Sequence, residues 1–566
     1  MFVKDYLVNF LIDMGVTDVF GLPGGVVLDF VSAIQQKSTL INARLSFHEQ
    51  SAVFSAIGFS RATDKLGVAY ATRGPGITNT LTAVSDAYYD SVPVLLITGH
   101  SGDLSKGSMR ILSDQEMDVV SIFSHVTKFA SRVETPEDFV ISLQKATLKA
   151  LTGRKGPVLL DVRSDIWNKE IPTDIAKLST SSTLSPSLLD NGLCNISDEL
   201  DRHSCPVLLL GDGFRGRKKA TKEVIDFSNK NQIPILSSRF SQDLFKGAKF
   251  YFGYFGSHGL RSGNFILSKV DLMISIGNRM VYPLHSDSFN SLMKNIKVLR
   301  FDIDKDEFER SIPNSTAFHV DLEELAGRLA EVRSNSINST WILRCFEVER
   351  LLKDSDNEYP IDTIKSILNQ IPEKSPIVSD VGNNEFWLCK AYYGSQCRGK
   401  MLFSKSFGAM GSALGKAIGF SHGSKERVFC FVGDHGMMIN IQDLHYIAKH
   451  KLPIVIFLIN NQSSGMIRSR QKHSGRKIMQ TTIETGYSIP DFVRVSEAFN
   501  IKVISYSSND SMLDWKNILS LSAGPLLVEI CVDSEVESIP HLPIGEKIQN
   551  LMPSLSDELL GKLNSL

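Results

Sequence analysis

Val428-Phe429-Cys430-Phe431-Val432-Gly433-Asp434-His435-Gly436 and, further along, Ile454-Val455-Ile456-Phe457-Leu458-Ile459-Asn460-Asn461 decide the fold. Each is a short run of β-branched and aromatic residues that stops at polar ones. The helical stretch between them gives the pattern of parallel strands joined by a crossover. Runs this uniformly apolar read as strands covered on both faces. Residues at the C-terminal ends of such strands converge on one crevice, where open α/β sheets bind ligands. Asp434 and Asn461 bring hard oxygen donors to it, suited to Mg²⁺ with positions left for diphosphate oxygens and water. Backbone N–H groups opening the intervening helix suit the remaining phosphate charge.

The same grammar runs through the rest of the chain. Asp18–Phe20, Gly67–Tyr70, Val92–Ile97 and Gly156–Val162 read as strands of a first block. Cys205–Gly211, Ile233–Leu236, Leu272–Ile276 and Val298–Ile303 form a second, and Ile377–Ser379 joins the two opening runs in a third. Ser179–Ser187 and Arg333–Thr340 are too polar to pack a core and read as linkers. The expectation is α/β, with three doubly wound parallel-sheet domains over residues 1–170, 190–330 and 356–566.

A chain of 566 residues exceeds one hydrophobic core. Its 61 basic residues balance 62 acidic ones, leaving no broad field for nucleic acid or an anionic membrane. The run Arg215-Gly216-Arg217-Lys218-Lys219 reads as a solvated helix start. The seven cysteines contain no C-x-x-C pair, so neither a zinc ribbon nor a disulfide framework is supported. Cys389 and Cys430 read as reduced core residues. Met1–Val16 reads as an amphipathic helix without a signal core, and no apolar run is long enough for a bilayer. A cytoplasmic protein is expected.

The stretch from Gly433 to Ile467, GDHGMMINIQDLHYIAKHKLPIVIFLINNQSSGMI, resembles the diphosphate-binding signature of thiamine-diphosphate (ThDP) enzymes. More closely it resembles the acetolactate synthase (acetohydroxyacid synthase) branch. The resemblance implies the thiamine-diphosphate-binding fold, with Mg²⁺ held by Asp434, Asn461 and the Ser463 carbonyl. Gly433 and Gly436 flank the diphosphate. His435 stands where the family has glycine and offers a ring N–H in its place. Ile439 aligns with the apolar wedge that bends the cofactor, and Met466 lies beside it. Gly408-Ala409-Met410-Gly411 is similar to the segment gripping the aminopyrimidine, and Gly382-Asn383-Asn384 to the polar contacts of the diphosphate.

The first block resembles the pyrimidine-binding half. Gly21–Val26, Phe47-His48-Glu49-Gln50 and Thr72–Asn79 occur in the family's order. Glu49 then corresponds to the activating glutamate, a buried carboxyl sharing a proton with the aminopyrimidine. Thr72, Pro75 and Asn79 fall among the cofactor contacts. Because Glu49 and Asp434 belong to different domains, the resemblance implies sites shared between subunits, in a homodimer or homotetramer. In the middle block, Gly211 and Gly213, His258, Gly277 and Arg279, Asp302 and Asp321 fall where acetolactate synthases contact FAD. Relatives with and without flavin share this fold, and the flavin would play no redox part in carboligation.

The resemblance weakens where substrates sit. Gly25, Val26, Gln115 and Met466 keep the family's pattern, which favours pyruvate as donor. Asp114 replaces a phenylalanine of the family, Arg470 replaces its acceptor-facing tryptophan, and the loop from Gly99 to Asp114 is longer. An apolar wall made polar suits a larger, more hydrated acceptor. The main expectation is a carboligase that decarboxylates pyruvate and passes the two-carbon unit to a ketone or 2-keto acid. A keto-sugar nucleotide is one such acceptor, as in branched-chain-sugar carboligases of the yersiniose type. The alternatives are acetolactate synthase itself, a simple 2-keto acid decarboxylase, or a binding module that has kept only the fold.

Overall fold

The central strands are apolar enough to be covered on both faces, and a computed structural model places them so. It describes residues 1–101, 114–172, 186–280, 287–332, 339–353, 355–356, 358–507 and 514–566. Most of both linker stretches and of the Gly99–Asp114 loop lie outside the described residues. The chain forms two units: Met1–Ser181, Ser375–Glu385 and Leu402–Val536 make the first, and Ser182–Lys374, Phe386–Met401 and Glu537–Leu566 the second.

Unit one holds two six-stranded sheets. The first contains β1 (Asp18–Gly21), β2 (Asn42–Leu45), β3 (Gly67–Tyr70), β4 (Val94–His100), β5 (Phe129–Val133) and β6 (Val158–Arg163), in the order β2-β1-β3-β4-β6-β5. Unit two holds β7 (Pro206–Leu210), β8 (Ile235–Ser237), β9 (Tyr251–Tyr254), β10 (Leu272–Ile276), β11 (Lys297–Asp302) and β12 (Ser315–His319), ordered β12-β11-β10-β7-β8-β9. The other sheet of unit one is β14-β13-β15-β16-β18-β17. Its strands are β13 (Ile377–Ser379), β14 (Met401–Leu402), β15 (Val428–Gly433), β16 (Ile454–Asn460), β17 (Lys502–Ser507) and β18 (Leu526–Cys531). Neighbours pair in parallel, as Val428 with Ile454 and Val19 with Ala43.

Each order turns once in its interior, which makes the sheet doubly wound, and the first and third turn again at one edge, where β6 precedes β5 and β18 precedes β17. The switch lies between β1 and β3 in the first sheet, β7 and β10 in the second, and β13 and β15 in the third. The loops leaving those strands are the Gly24–Gly25 and Thr72–Asn79 turns, the Gly211–Gly213 and Gly277–Arg279 turns, and the Gly382–Asn384 and Gly433–Gly436 turns. Topology alone thus brings the candidate residues into pairs.

Within unit one, the helices Glu49–Thr63 and Ser412–Ser424 are buried along most of their lengths. Their backbones approach so closely that a Cβ on Gly419 would lie 1.7 Å from the Ser55 carbonyl oxygen, and one on Gly58 2.0 Å from that of Lys416. Small residues are therefore obligatory at this crossing. The basic run departs from its solvated expectation. A helix does begin at Lys218, but the side chain of Arg215 is only 8% exposed, ion-paired to Asp212 at 2.7 Å and Asp243 at 2.8 Å. Burial is tolerable there because two carboxylates satisfy the guanidinium.

Candidate active site

Two clusters form in unit one. The first gathers around Glu49, which opens its helix and is 6% exposed. Asn79 donates to Glu49 Oε2 at 3.0 Å. A Cβ on Gly76 would lie 3.3 Å from Glu49 Oε1, and one on Gly24 2.5 Å from Thr72 Cβ. Gly74, at φ +64°, lies against Gln115, itself at φ +61°. Only glycine satisfies both demands on position 74, left-handed backbone and room for the Gln115 side chain. Pro75 opens the helix Pro75–Asn79, where its missing N–H costs nothing. Gly25 faces open space, whereas Val26 is buried against Gly99 and its carbonyl accepts from the Trp167 indole at 2.9 Å.

The second cluster surrounds Asp434. Its Oδ1 accepts from the His435 amide at 2.7 Å and from the Tyr487 hydroxyl at 3.0 Å, while the buried Oδ2 has no hydrogen-bond partner among the described residues. Burial raises its carboxyl above the ordinary value, opposed by these bonds and by the Gln462 and Ser463 amides. The Asn461 and Asn383 amide nitrogens both come within 2.8 Å of a Cβ placed on Gly465, and Asn383 Nδ2 is itself buried and unpartnered. Asn384 donates to the Asp380 carbonyl at 2.9 Å, and its Oδ1 faces Gly433. The orphaned, buried carboxylate oxygen of Asp434 is a hard donor of the kind that fits a divalent cation. Met466 is half-buried in the following helix, Gly465–His473.

Several residues holding this cluster carried no sequence signal. Asp380 accepts from the backbone amides of Gly411 at 3.0 Å and Ala413 at 3.1 Å, and Asn440 donates to the Gly411 carbonyl at 2.7 Å. Ile439, 40% exposed, packs on Gly411. Ser404 donates to Asp86 and accepts from the Ala409 amide, and Lys416 is paired to Asp86 at 2.7 Å with both side chains buried. The Gly408–Gly411 segment is thus pinned from two sides, with Met410 half-buried and Gly408 open.

Asp114 and Arg470 are both exposed. The neighbouring Glu116 is buried and paired to Arg73 at 3.2 Å, and Arg468 is buried and paired to Glu535. Among the described residues, Glu49 and Asp434 share no hydrogen-bond partner. In unit two, Gly211 and Gly213 press on the Gly277 backbone, and His258 stacks on Phe386 with centroids 4.1 Å apart. Arg279 pairs with Glu307 at 2.8 Å, while Asp302 and Asp321 accept from the Asp304 and Glu323 amides. Among the described residues, no helix is long and apolar enough to cross a membrane.

Residues 1–122 match the thiamine pyrophosphate enzyme N-terminal TPP binding domain, 195–329 the central domain and 380–530 the C-terminal TPP binding domain. A probable acetolactate synthase large subunit of Methanocaldococcus jannaschii is 29% identical, covering 96% of this chain and 94% of its own. The acetolactate synthase large subunit of Lactococcus lactis is 28% identical over 97% and 94%. Acetolactate synthase isozyme 1 of Escherichia coli is 27% identical, with 96% of each chain covered. With its N-terminal, central and C-terminal domains all matched, the chain belongs to the thiamine pyrophosphate (thiamine diphosphate) enzymes and is of the acetolactate synthase type.

Proposed function

We propose that this protein decarboxylates pyruvate and joins the two-carbon unit to a second 2-keto acid, the reaction for which its relatives are named. The observation carrying this is that one buried cluster forms around Glu49 and another around Asp434 in a chain collinear with acetolactate synthase large subunits. In this reading Asp434 Oδ2, the Asn461 side chain and the Ser463 carbonyl hold Mg²⁺, and the fit is supported by the unpartnered Oδ2. Gly382, Asn383, Asn384, Gly433, His435 and Gly436 surround the diphosphate. Gly408, Met410, Ile439 and Met466 shape the space beside it, and Thr72, Pro75 and Asn79 bound the pyrimidine side. When bound, thiamine diphosphate supplies a carbon nucleophile and an electron sink. Glu49 holds the activating proton on a carboxyl kept from water and oriented by Asn79. In this reading Gln115, exposed beside Gly74, offers an amide to the substrate, and the open side of Gly25 leaves it room.

The shared-site arrangement belongs to this proposal, with two copies each supplying one cluster. In unit two the glycine turns at the β7/β10 switch, with His258, Arg279, Asp302 and Asp321, fit a dinucleotide. We assign FAD there without a redox role, tested by the flavin absorbance of the purified protein. The exposed Asp114 and Arg470 favour a second reading, a larger polar acceptor such as a keto-sugar nucleotide. Labelled pyruvate supplied with ThDP, Mg²⁺ and a panel of acceptors separates the two. Labelled 2-acetolactate as the main product is expected. Products formed only with the sugar acceptor would replace the first reading with the second, and free acetaldehyde alone would sink both.

A further inference from the structure

Asp434 is gripped from a place remote in sequence. The turn Thr481–Tyr487 reaches the cluster at both of its ends. At one end the Tyr487 hydroxyl donates to Asp434 Oδ1 at 3.0 Å. At the other, the Thr481 carbonyl accepts from the Ser463 hydroxyl at 2.8 Å and from the Ser464 amide at 2.9 Å. Between them the turn is locked internally. Thr485 Oγ1 accepts from the Thr481 amide at 3.2 Å and the Thr482 amide at 3.0 Å, and the Tyr487 amide donates to the Thr482 carbonyl at 2.9 Å. Gly486, at φ +102°, supplies the reversal that only glycine makes cheaply. The Tyr487 side is buried, and the His435 ring lies edge-on to it with centroids 5.7 Å apart.

We propose that the Thr481–Tyr487 turn is the positioning device of the cation site, with Tyr487 as its principal residue. By occupying Oδ1, the phenol leaves Oδ2 as the one carboxylate oxygen free to face a cation. The same turn fixes the Ser463–Ser464 backbone on the opposite side. A ligand carboxylate free to rotate would lose this orientation each time the metal left. Partners of this kind govern affinity by 10- to 100-fold where they have been removed. His435 extends the device, since its ring rests on the phenol and restrains it. The inference rests on the assignment of Asp434 to the cation and goes beyond it by naming what holds Asp434 ready.

The test is a Mg²⁺ titration of the full-length protein at saturating ThDP, read by thermal shift and by intrinsic fluorescence quenching rather than by turnover. Tyr487→Phe removes only the hydroxyl and keeps the ring against His435. Its Mg²⁺ midpoint is expected to rise about 10-fold, with the melting temperature of the metal-free protein unchanged. Rate lost at low Mg²⁺ is expected to return at high Mg²⁺. Asp434→Asn is the control for the underlying assignment. If it leaves the Mg²⁺ response intact, the cation site itself is elsewhere. If it abolishes the response while Y487F leaves the midpoint where it was, the positioning role is overturned. Should Y487F weaken the metal-free fold, Ser463→Ala decides in its place by removing the side-chain half of the turn's other tie, the Ser464 amide bond remaining. A raised midpoint supports the proposal and an unmoved one refutes it.

Discussion

Asp443 shows how a single carboxyl can be carried by the fold at a cost. It is 2% exposed and accepts a hydrogen bond from the Ser51 hydroxyl. Burial pushes its pKa from 3.8 up to about 7, with the Ser51 bond opposing. From about pH 4 to about pH 7 the unfolded chain releases this proton while the folded chain keeps it. Its contribution to stability therefore falls as pH rises through that window and is level above it. Asp443→Asn keeps an acceptor for Ser51 and removes the titration. The variant's stability relative to the parent should be near parity at the acid end and grow by at most about 1.4 kcal/mol per pH unit. Urea unfolding at several pH values measures this. A difference that does not grow would mean that Asp443 is already ionised in the fold. Such residues were not readable in advance, because Ser51 and Asp443 meet only after two sheets have formed. Asp434 and Asn461 stood out as candidates because each ends a contiguous apolar strand, and Glu49 only through the family resemblance of the segments around it. Tyr487 reaches Asp434 across 53 positions, with nothing local to announce it.

Between elements, the crossing of helices Glu49–Thr63 and Ser412–Ser424 links stability to the site. Each helix begins at a segment proposed to serve the cofactor, Glu49 in one case and Gly408–Gly411 just before the other. Gly419→Ala would put a methyl 1.7 Å from the Ser55 carbonyl oxygen, so the helices must separate. Overpacking of this kind costs about 1–3 kcal/mol, occasionally more. The expected outcome is a melting temperature several degrees lower together with weaker ThDP binding, since both helix starts shift. Loss of stability with unchanged cofactor affinity would show the crossing to be structural only. Strands with unbroken apolar runs, such as β15 and β16, were legible in the sequence. The half-buried β2, β5 and β17 were not, because polar side chains interrupt their apolar runs. β18 escaped as well, its run broken by Glu529. That carboxylate is made tolerable by Asn460 and Ser505, each donating at 2.8 Å.

At the scale of the whole molecule, the proposed reading gives the two clusters a common cofactor, yet among the described residues Glu49 and Asp434 share no hydrogen-bond partner within one chain. Around them lie large apolar side chains left in water. Phe47 and Phe407 are each 42% exposed, Tyr89 41%, and Met438 and Ile439 40%. Tyr89 and Phe407 stack with centroids 5.6 Å apart, so part of this surface is already ordered. Exposed apolar side chains beside an incomplete site are what a self-associating surface leaves on the isolated chain. In a closed two-fold dimer, Glu49 of one copy would meet Asp434 of the other, and the reverse. Glu49→Gln and Asp434→Asn should each be inactive alone. When they are mixed and allowed to exchange subunits, half of the dimers are hybrids. Each hybrid carries one doubly damaged site and one intact site, so activity should recover to about a quarter of the parent's. If every chain completed its own site, no mixture could restore turnover. Hybrids isolated by two different affinity tags and found inactive would therefore assign both carboxylates to a single chain.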